Sequence, residues 1–449
     1  MREIPVGARS ILPGRFLRIM QRDPIPFFRR MASECGDASQ FTVGRQRVIL
    51  VNHPDLIREL LVTQHRSFHK SRVLQRTKII LGEGLLTSED ELHKRQRRLA
   101  QPAFHHDRIT RYADVMVQRA AAMRERWSDG AILDVHHEMM RLTLSVVAKT
   151  LFDADVEGEA DDIGASLTQL IDLFPLLMNP MSTWLQKVPI PSTLRFRAAI
   201  RRLDRTIYGI IEERRASGED RGDLLSMLLL AQDVEGDGGG MSDVQLRDET
   251  MTLFLAGHET TANALAWTWY LLAQHPEVLR ELRRVIDEVL GDRFATAEDY
   301  PRLQYVEMVL AESMRLFPPA WAVSRLAMED VDLGGWHVPQ GSVVAASQAV
   351  MHRDPRFWSE PDRFDPMRFM PEAKLARPKF AYFPFGGGPR ICIGEGFAWM
   401  EGVLILATLA QRWSMDLLSR NVEAQASITL RPRGGIRARL VARGNASAI

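Results

Sequence analysis

The sequence contains little cysteine and no excess of either charge. Its two cysteines, Cys35 and Cys392, lie far apart in 449 residues. This count excludes a disulfide-rich secreted framework and a four-thiolate zinc or iron–sulfur site. A single disulfide remains open, although free thiols in a reducing cytoplasm are the simpler interpretation. The 58 Lys and Arg residues nearly balance the 57 Asp and Glu residues, so we expect no nucleic-acid partner.

The sequence also lacks a convincing membrane-spanning run. Arginines and prolines interrupt residues 1–31, which excludes a signal peptide. Only Met251 to Leu272 approaches bilayer length, and it carries His258 and Glu259. We interpret this stretch as a long buried helix. We therefore expect a cytoplasmic, monomeric protein with no membrane span.

Helical periodicity dominates the chain, and short strand patterns lie between the helices. The predicted helical stretches are 95–152, 194–217 and 276–290. The predicted strands lie in a hairpin at 40–51, at 331–347, and in a last pair between 426 and 441. Ser242 and Gln245 form a capping-box pattern that starts a helix reaching about Gln274. The pattern predicts one mainly α domain over 1–449, with small β-sheets and an N-terminal lead-in over 1–39.

One cysteine lies in a glycine-rich segment. Residues 385–394 read FGGGPRICIG, and a strong helix pattern follows from Phe397. A thiolate just before a helix is stabilised by unpaired N–H groups and by the positive end of the helix dipole. The glycines would let the backbone approach a flat cofactor closely, and Phe385 could shield the sulfur. A buried structural cysteine beside a glycine turn is the alternative.

A second motif, Ala256-Gly257-His258-Glu259-Thr260, lies inside the predicted long helix. Ala256 and Thr260 are four residues apart and share a helix face. The small residues would leave room beside a planar ring. The hydroxyl of Thr260 and the carboxylate of Glu259 could organise water for proton delivery. A helix kinked by Gly and Thr, with a solvated Glu259, is the alternative.

The spacing Phe-x-x-Gly-x-Arg-x-Cys-x-Gly resembles the haem-binding signature of the cytochrome P450 family. Its fixed positions here are Phe385, Gly388, Arg390, Cys392 and Gly394. The resemblance extends over about residues 40–441. It implies the family's fold, in which a long central helix crosses the haem. It also implies haem b as the cofactor, with Cys392 as the axial ligand of the iron.

The resemblance assigns roles to residues of the other motifs. Glu259 and Thr260 match the acid and alcohol positions of the family's oxygen-activation motif, with Ala256 and Gly257 beside the haem. Further residues match two more sets in the family. The first is a buried Glu-x-x-Arg pair joined by a later arginine, which supports the fold and the haem pocket: Glu312, Arg315 and Arg368. The second set binds the haem propionates and consists of His93, Arg97, Arg325 and Arg390. His93 replaces the Trp that is usual in the family.

The implied activity is a haem-thiolate monooxygenase that inserts one atom of O2 into an apolar substrate by hydroxylation or epoxidation. The substrate would be a fatty acid, a terpenoid or a steroid. By family position, the pocket residues are Leu86, Phe174, Phe254, Ala322 and Ile428. We expect no fused reductase, so a ferredoxin and a ferredoxin reductase would supply electrons. An acidic ferredoxin would dock near a basic set, namely Lys94, Arg95, Arg98, Arg377 and Lys379.

Four other functions remain open. A peroxygenase or a haem-thiolate isomerase would use the same cysteine loop without activating dioxygen, but the presence of both Glu259 and Thr260 argues against them. A haem sensor would bind CO or NO without oxidising a substrate. A haem-free structural protein would show no haem absorption band.

Overall fold

The computed structural model describes residues 2–7, 15–154, 164, 166, 169–170, 191–231 and 239–444. Helices account for most of these residues. They are α1 (Arg15–Arg22), α2 (Pro24–Cys35), α3 (Pro54–Arg58), α4 (Arg72–Arg76), α5 (Lys78–Leu81), α6 (Asp90–Ala100), α7 (His106–Arg126), α8 (Val135–Phe152), α9 (Pro191–Ser217), α10 (Leu224–Leu230), α11 (Asp243–Leu272), α12 (Pro276–Leu290), α13 (Gln304–Leu316), α14 (Gln348–Met351), α15 (Pro371–Ala376) and α16 (Glu395–Ala410).

Short strands form small sheets between the helices. They are β1 (Ala38–Val43), β2 (Gln46–Val51), β3 (Phe68–Lys70), β4 (Ile132–Asp134), β5 (Val323–Ala327), β6 (Val331–Leu333), β7 (Trp336–Val338), β8 (Val343–Ala346), β9 (Trp413–Leu417), β10 (Ala424–Ala426), β11 (Leu430–Pro432) and β12 (Arg437–Ala442). The prediction of a mainly α chain with small β-sheets is confirmed.

The chain divides into two compact units, neither of which is continuous in sequence. The first unit contains residues 1–76, 311–392 and 424–431. The second unit contains residues 77–310, 393–423 and 432–449.

The first unit contains the largest sheet, with strand order β1-β2-β8-β5-β3. β1 and β2 pair antiparallel from Ala38↔Val51 to Val43↔Gln46, which confirms the predicted hairpin at 40–51. Its turn contains Gly44 at a φ of +61°, a conformation that glycine adopts without a steric penalty. The sheet's apolar side chains are buried, as Ile49 and Val344 illustrate, so the sheet is held by a packed core.

The second unit is built around α11, a helix of 30 residues. The predicted capping box is confirmed, because the Ser242 hydroxyl accepts from the Gln245 N–H and the Gln245 side chain accepts from the Ser242 N–H. Helices α8 and α16 pack against α11. In the described part of the chain, no helix combines the length and the apolarity needed to span a bilayer.

Two sequence expectations need correction. The predicted helical stretch 95–152 is divided among α6, α7 and α8, and β4 lies before α8. A 3₁₀ turn containing Pro102 separates α6 from α7, because proline cannot donate the next helical hydrogen bond. Strands β11 and β12 lie in the region predicted for the last pair, but they have other partners. β12 pairs with both β4 and β9, whereas β10 pairs with β11.

Candidate active site

The cysteine loop, residues 385–394, lies in the first unit up to Cys392, and α16 begins at Glu395. The Cys392 N–H donates to the Phe385 carbonyl over 3.0 Å, which closes the loop. The Cys392 side chain is exposed, whereas Cys35 is partly buried. An exposed thiol near the start of a helix is accessible and electrostatically favoured as a thiolate. This exposure argues against the buried structural cysteine considered as an alternative.

Gly388 is required by local packing. Its φ is +69°, and a Cβ at this position would lie 1.9 Å from the Leu61 carbonyl oxygen. The loop therefore packs directly on the backbone of the π-helix Glu59–Thr63. Gly394 differs, because the nearest atom to an added Cβ would be 3.6 Å away on Phe104, an ordinary contact. The glycine at 388 thus has a structural reason besides the predicted approach to a cofactor.

The predicted Glu-x-x-Arg pair is buried in the first unit. Glu312 and Arg315 are both fully buried, and the guanidinium donates to both carboxylate oxygens over 2.6 and 2.7 Å. Arg368 lies farther away, with its Nε 3.5 Å from a Glu312 oxygen. It donates instead to the Glu360 carbonyl over 3.0 Å. Arg368 therefore lies on the outer side of the Glu312–Arg315 pair.

Two residues that the sequence interpretation missed, His352 and Tyr382, connect the helix of this pair to the segment just before the cysteine loop. Arg315 donates to the His352 carbonyl over 2.9 Å, and the His352 Nε2 accepts from the Phe383 N–H over 3.0 Å. Burial, together with the nearby Arg315, lowers the pKa of His352 well below its usual value, which suits a neutral acceptor. The Tyr382 hydroxyl donates to the Ala311 carbonyl over 2.9 Å. A buried histidine in a connecting segment has no sequence signature of its own.

A buried cationic pair lies on the sheet of the first unit. β3 and β5 pair so that Lys70 is directly opposite Arg325, and both are largely buried. Arg325 also donates to the Ser324 carbonyl over 3.1 Å. Two cations facing each other across a strand pair repel, so this position favours an anionic group nearby. Arg325 was predicted to bind a carboxylate, whereas Lys70 was missed because no motif marks it. Arg390 lies on the cysteine loop and is half-buried.

In the second unit, one accessible patch lies within residues 246–272 of α11. Between residues 246 and 272, all side chains are buried except at Ala256, which is exposed, and Gly257 and Thr260, which are partly exposed. The Thr260 hydroxyl donates to the Ala256 carbonyl over 2.7 Å. Glu259 is buried, which excludes the solvated carboxylate of the alternative interpretation. The small residue and the hydroxyl therefore form the part of this helix that a ligand could contact.

The predicted propionate-binding residues of the second unit lie together on α6. His93 is buried and Arg97 is partly buried, one turn apart on the same face. The cations predicted to dock a ferredoxin differ in their contacts and in their exposure. Arg95 donates to the Gly239 carbonyl over 2.9 Å, and Arg377 stacks on Trp358 in the first unit, with 3.9 Å to the ring centroid. Three of the set remain exposed on their units: Lys94, Arg98 and Lys379.

The predicted pocket residues differ in their surroundings. Leu86 is half-buried in the second unit, while Ala322 and Ile428 are half-buried in the first. Hydrogen bonds bring the segments around these last two residues together, because the Trp321 indole donates to the Ser427 carbonyl over 2.8 Å. Phe174 lies outside the described residues.

Phe254 is a core residue and not part of the accessible patch. It is 4% exposed and packs against Phe152 and His258. Two residues along a helix rotate the side chain by roughly 200°, which turns Phe254 away from the face of Ala256.

These residues fit a haem-thiolate group. The first unit provides an accessible thiol and buried cations. The second unit provides the patch of small residues and a hydroxyl, with a further cation, Arg97, on α6. A haem-thiolate group needs a thiolate to bind its iron, cations to bind its carboxylates and small residues beside its planar ring, and these residues could supply them.

Comparisons with known proteins agree with this chemistry. A family model described as Cytochrome P450 matches residues 6–435. The chain is 42% identical to "Cyclooctatin synthase" of Streptomyces melanosporofaciens, over 88% of this chain and 86% of that protein. It is 36% identical to "Cyclooctat-9-en-7-ol 5-monooxygenase" of the same organism, over 88% and 85%. It is 35% identical to "Pentalenene oxygenase" of Streptomyces avermitilis, over 94% of both chains.

A solved structure supports the fold as well. The heme domain of cytochrome P450DA superposes with a TM-score of 0.87 at 28% sequence identity, covering 99% of this chain and 98% of that one. The predicted fold is therefore confirmed.

Proposed function

The chain belongs to the cytochrome P450 family and is a cytochrome P450 monooxygenase, and from this premise we propose that it oxidises a polycyclic terpenoid with haem b bound through Cys392. The family implies a haem-thiolate iron cofactor. The observation that carries the Cys392 assignment is its exposed thiol within the matched signature. Cys35, the other cysteine in the sequence, lies in no such motif.

The chain's own residues would divide the work of binding among them. Cys392 would hold the iron, and the propionates would be bound by His93, Arg97, Arg325 and Arg390. When bound, the haem would supply the transfer of one oxygen atom from O2 to the substrate. The buried Glu259 would hold a proton, and the Thr260 hydroxyl would pass it on through water. The Glu312–Arg315 pair would keep the cysteine loop in place through His352.

The substrate class follows from the names of the relatives and from apolar pocket residues. Three relatives that are 35–42% identical are named for cyclooctatin, cyclooctat-9-en-7-ol and pentalenene. Leu86, Ala322 and Ile428 would contact an apolar ligand. A rigid polycyclic hydrocarbon, or its monoalcohol, buries apolar surface without losing much conformational freedom. This favours a terpenoid over a flexible fatty acid, and the position that is oxidised would be a C–H or C=C carbon.

We infer that electrons come from a separate ferredoxin and ferredoxin reductase. The exposed cations Lys94, Arg98 and Lys379 would attract an acidic partner. Changing all three to Glu should slow ferredoxin-supported turnover and remove most of its dependence on ionic strength. Turnover that is insensitive both to salt and to this charge reversal would contradict a role of these cations in docking.

Spectroscopy tests the cysteine ligand. The reduced, CO-bound protein should show the red-shifted Soret band of a thiolate ligand, and Cys392→Ser should abolish it. Cys35→Ser is the matched control and should keep the band. A wild-type protein without the band would contradict the haem-thiolate assignment. Oxidation supported by hydrogen peroxide, but by no electron-transfer system, would point to a peroxygenase instead.

A ligand panel tests the substrate class. Polycyclic diterpenes and sesquiterpenes, their monoalcohols, fatty acids and steroids would be titrated, and the shift of the haem spectrum on displacement of bound water would be recorded. Terpenoids should bind most tightly and should incorporate one ¹⁸O atom from ¹⁸O2. Tighter binding and faster turnover of fatty acids or steroids would contradict the proposed class.

A further inference from the structure

Two buried carboxyl groups on α11 hold the backbone of a neighbouring loop, residues 82–87, in the second unit. The Glu83 N–H donates to the Asp248 carboxylate over 2.8 Å, and the Leu85 N–H donates to the Glu249 carboxyl over 3.0 Å. Asp248 is 7% exposed and Glu249 is fully buried. Acceptors buried against backbone N–H groups fix that backbone, because an unsatisfied buried donor costs about 1–3 kcal/mol.

Glycines let this loop lie directly on the helix. A Cβ added to Gly84 would lie 2.2 Å from the Thr252 hydroxyl and 2.6 Å from the Asp248 carbonyl oxygen. A Cβ at Gly82, where φ is +55°, would lie 2.0 Å from the Asp248 carboxyl. Any side chain at position 84 would therefore push the loop away from α11.

Contacts from both sides complete the attachment. Arg247, next to Asp248 on the helix, donates to the Ile80 carbonyl over 2.8 Å. Gln96 on α6 donates to the Glu83 carbonyl over 2.6 Å. The 82–87 loop is thus held by at least one hydrogen bond from each of two helices.

The attachment lies next to the accessible patch of α11. Thr252 is one turn before Ala256, and Glu249 is seven residues before it, on nearly the same face of the helix and roughly 10 Å along its axis. The 82–87 loop therefore borders the N-terminal side of the patch formed by Ala256, Gly257 and Thr260. Leu86, half-buried, lies on this loop.

We propose that Asp248 and Glu249 are positioning residues for the substrate, which fix the 82–87 loop as a wall beside the accessible patch and so determine which carbon is oxidised. This inference rests on the proposed function, since it assumes that the substrate lies over that patch. Neither carboxyl contacts the substrate; both act through the backbone of the loop.

The two carboxyl groups differ in their partners. Asp248 lies 3.0 Å from the Arg247 guanidinium. Burial, together with the nearby Asp248, raises the pKa of Glu249 to about 8, and its second oxygen has no hydrogen-bond partner among the described residues. Glu249 is thus a neutral acceptor that glutamine can imitate, whereas leucine of similar size cannot accept the Leu85 N–H.

The experiment compares Glu249→Leu and Gly84→Ala with the wild type in the full-length holoprotein. Hydrogen exchange reports the loop, and product distribution with a terpenoid from the panel reports the wall. Both variants should exchange the Glu83 and Leu85 amides about 3- to 10-fold faster, as expected for the loss of a single hydrogen bond. Both should also change the ratio of oxidation products while keeping the thiolate CO band.

Two further variants make the comparison specific. Glu249→Gln should restore slow exchange and the wild-type product ratio relative to Glu249→Leu. Gly209→Ala is the matched glycine control, because an added Cβ there meets no described residue within 4 Å, and it should leave both readouts unchanged.

The outcomes separate this inference from the proposed function. Unchanged amide exchange in both variants would overturn the attachment of the loop. Faster exchange with an unchanged product ratio would overturn its role as a wall. A wild type without the thiolate CO band would contradict the proposed function and, with it, the role of the loop in positioning a substrate. The exchange measurement would still decide whether the carboxyl groups hold the loop.

Discussion

Buried carboxyl groups are treated in opposite ways around the cysteine loop and along the long helix. In the first unit, Glu312 is matched by the bidentate guanidinium of Arg315 and by the Asp365 N–H. In the second unit, Glu249 and Glu401 are equally buried but contact no cation in the described part of the chain. The first carboxyl is part of a charged network, whereas the other two are neutral groups inside a helical core.

This difference indicates which substitutions each region tolerates. A matched ion pair fixes geometry, because removing either partner leaves a buried charge. An unmatched carboxyl avoids that cost by keeping its proton, so an amide of the same shape can replace it. We therefore expect the support of the cysteine loop to be intolerant of substitution and the helix carboxyls to tolerate conservative changes.

The largest expected effect is at the matched pair. Glu312→Ala should destabilise the protein by about 3–5 kcal/mol, because Arg315 would remain buried without its partner. Urea unfolding and haem retention would measure this loss. Glu360→Ala is the control, since its exposed pair with Arg363 at 3.1 Å is worth about 1 kcal/mol or less. Similar losses in both variants would show that the buried pair contributes no more stability than the exposed pair.

The next largest loss of stability is expected in the cysteine loop. Gly388→Ala should cost about 1–3 kcal/mol more than Gly386→Ala, because its Cβ meets the Leu61 carbonyl whereas position 386 is open. Both glycines have positive φ, at +69° and +76°, so backbone strain cancels in the comparison. Melting temperature and the CO spectrum would be recorded for both. Equal losses would mean that close packing on residue 61 contributes nothing.

The two carboxyls of the helical core, Glu249 and Glu401, should make the stability of the protein depend on pH. Burial raises the pKa of both Glu249 and Glu401 to about 8, above the ordinary value of 4.5. Between these values the folded state keeps protons that the unfolded state has released. Stability should therefore fall as pH rises from about 4.5 to 8, by up to about 1.4 kcal/mol per pH unit for each group.

The variant Glu249→Gln/Glu401→Gln removes both titrating groups. Its melting temperature relative to the wild type should increase steadily from pH 5 to pH 8 and then level off. Glu423→Gln, at an exposed residue paired with Arg433, is the control and should show no such trend. A variant that loses stability equally at all pH values would mean that the two carboxyls are charged and matched after all.

The sequence allowed the motifs to be predicted better than their surroundings. The capping box at Ser242 and the hairpin at 40–51 depend on residues close in sequence, so local patterns alone indicated them. The burial of the Glu312–Arg315 pair was expected only from the family resemblance, because a pair at this spacing is usually exposed. His352 and Lys70 could not be predicted, because their contacts join segments that are distant along the chain.

Local patterns also misled where tertiary packing decides the outcome. The pairing of β12 with β4 joins residues about three hundred positions apart, and no periodicity predicts such a partner. Phe254 was assigned to the pocket by its family position, yet the helix turns it into the core, where it packs against Phe152. An apolar residue near a site is more often part of the core.

The smallest expected effect tests how far the charged network extends. Arg368 was predicted as the third member of the trio. Its Nε is 3.5 Å from Glu312, and its other donors reach Ser359 and Glu360 near the surface. Because Arg315 alone satisfies both carboxylate oxygens, Arg368→Gln should cost only about 0.5–1.5 kcal/mol. Urea unfolding of Arg368→Gln beside Glu312→Ala would measure the ratio. A loss as large as that of Glu312→Ala would place Arg368 inside the network, and the boundary between matched and unmatched charge would then lie farther out, at residues 359–368.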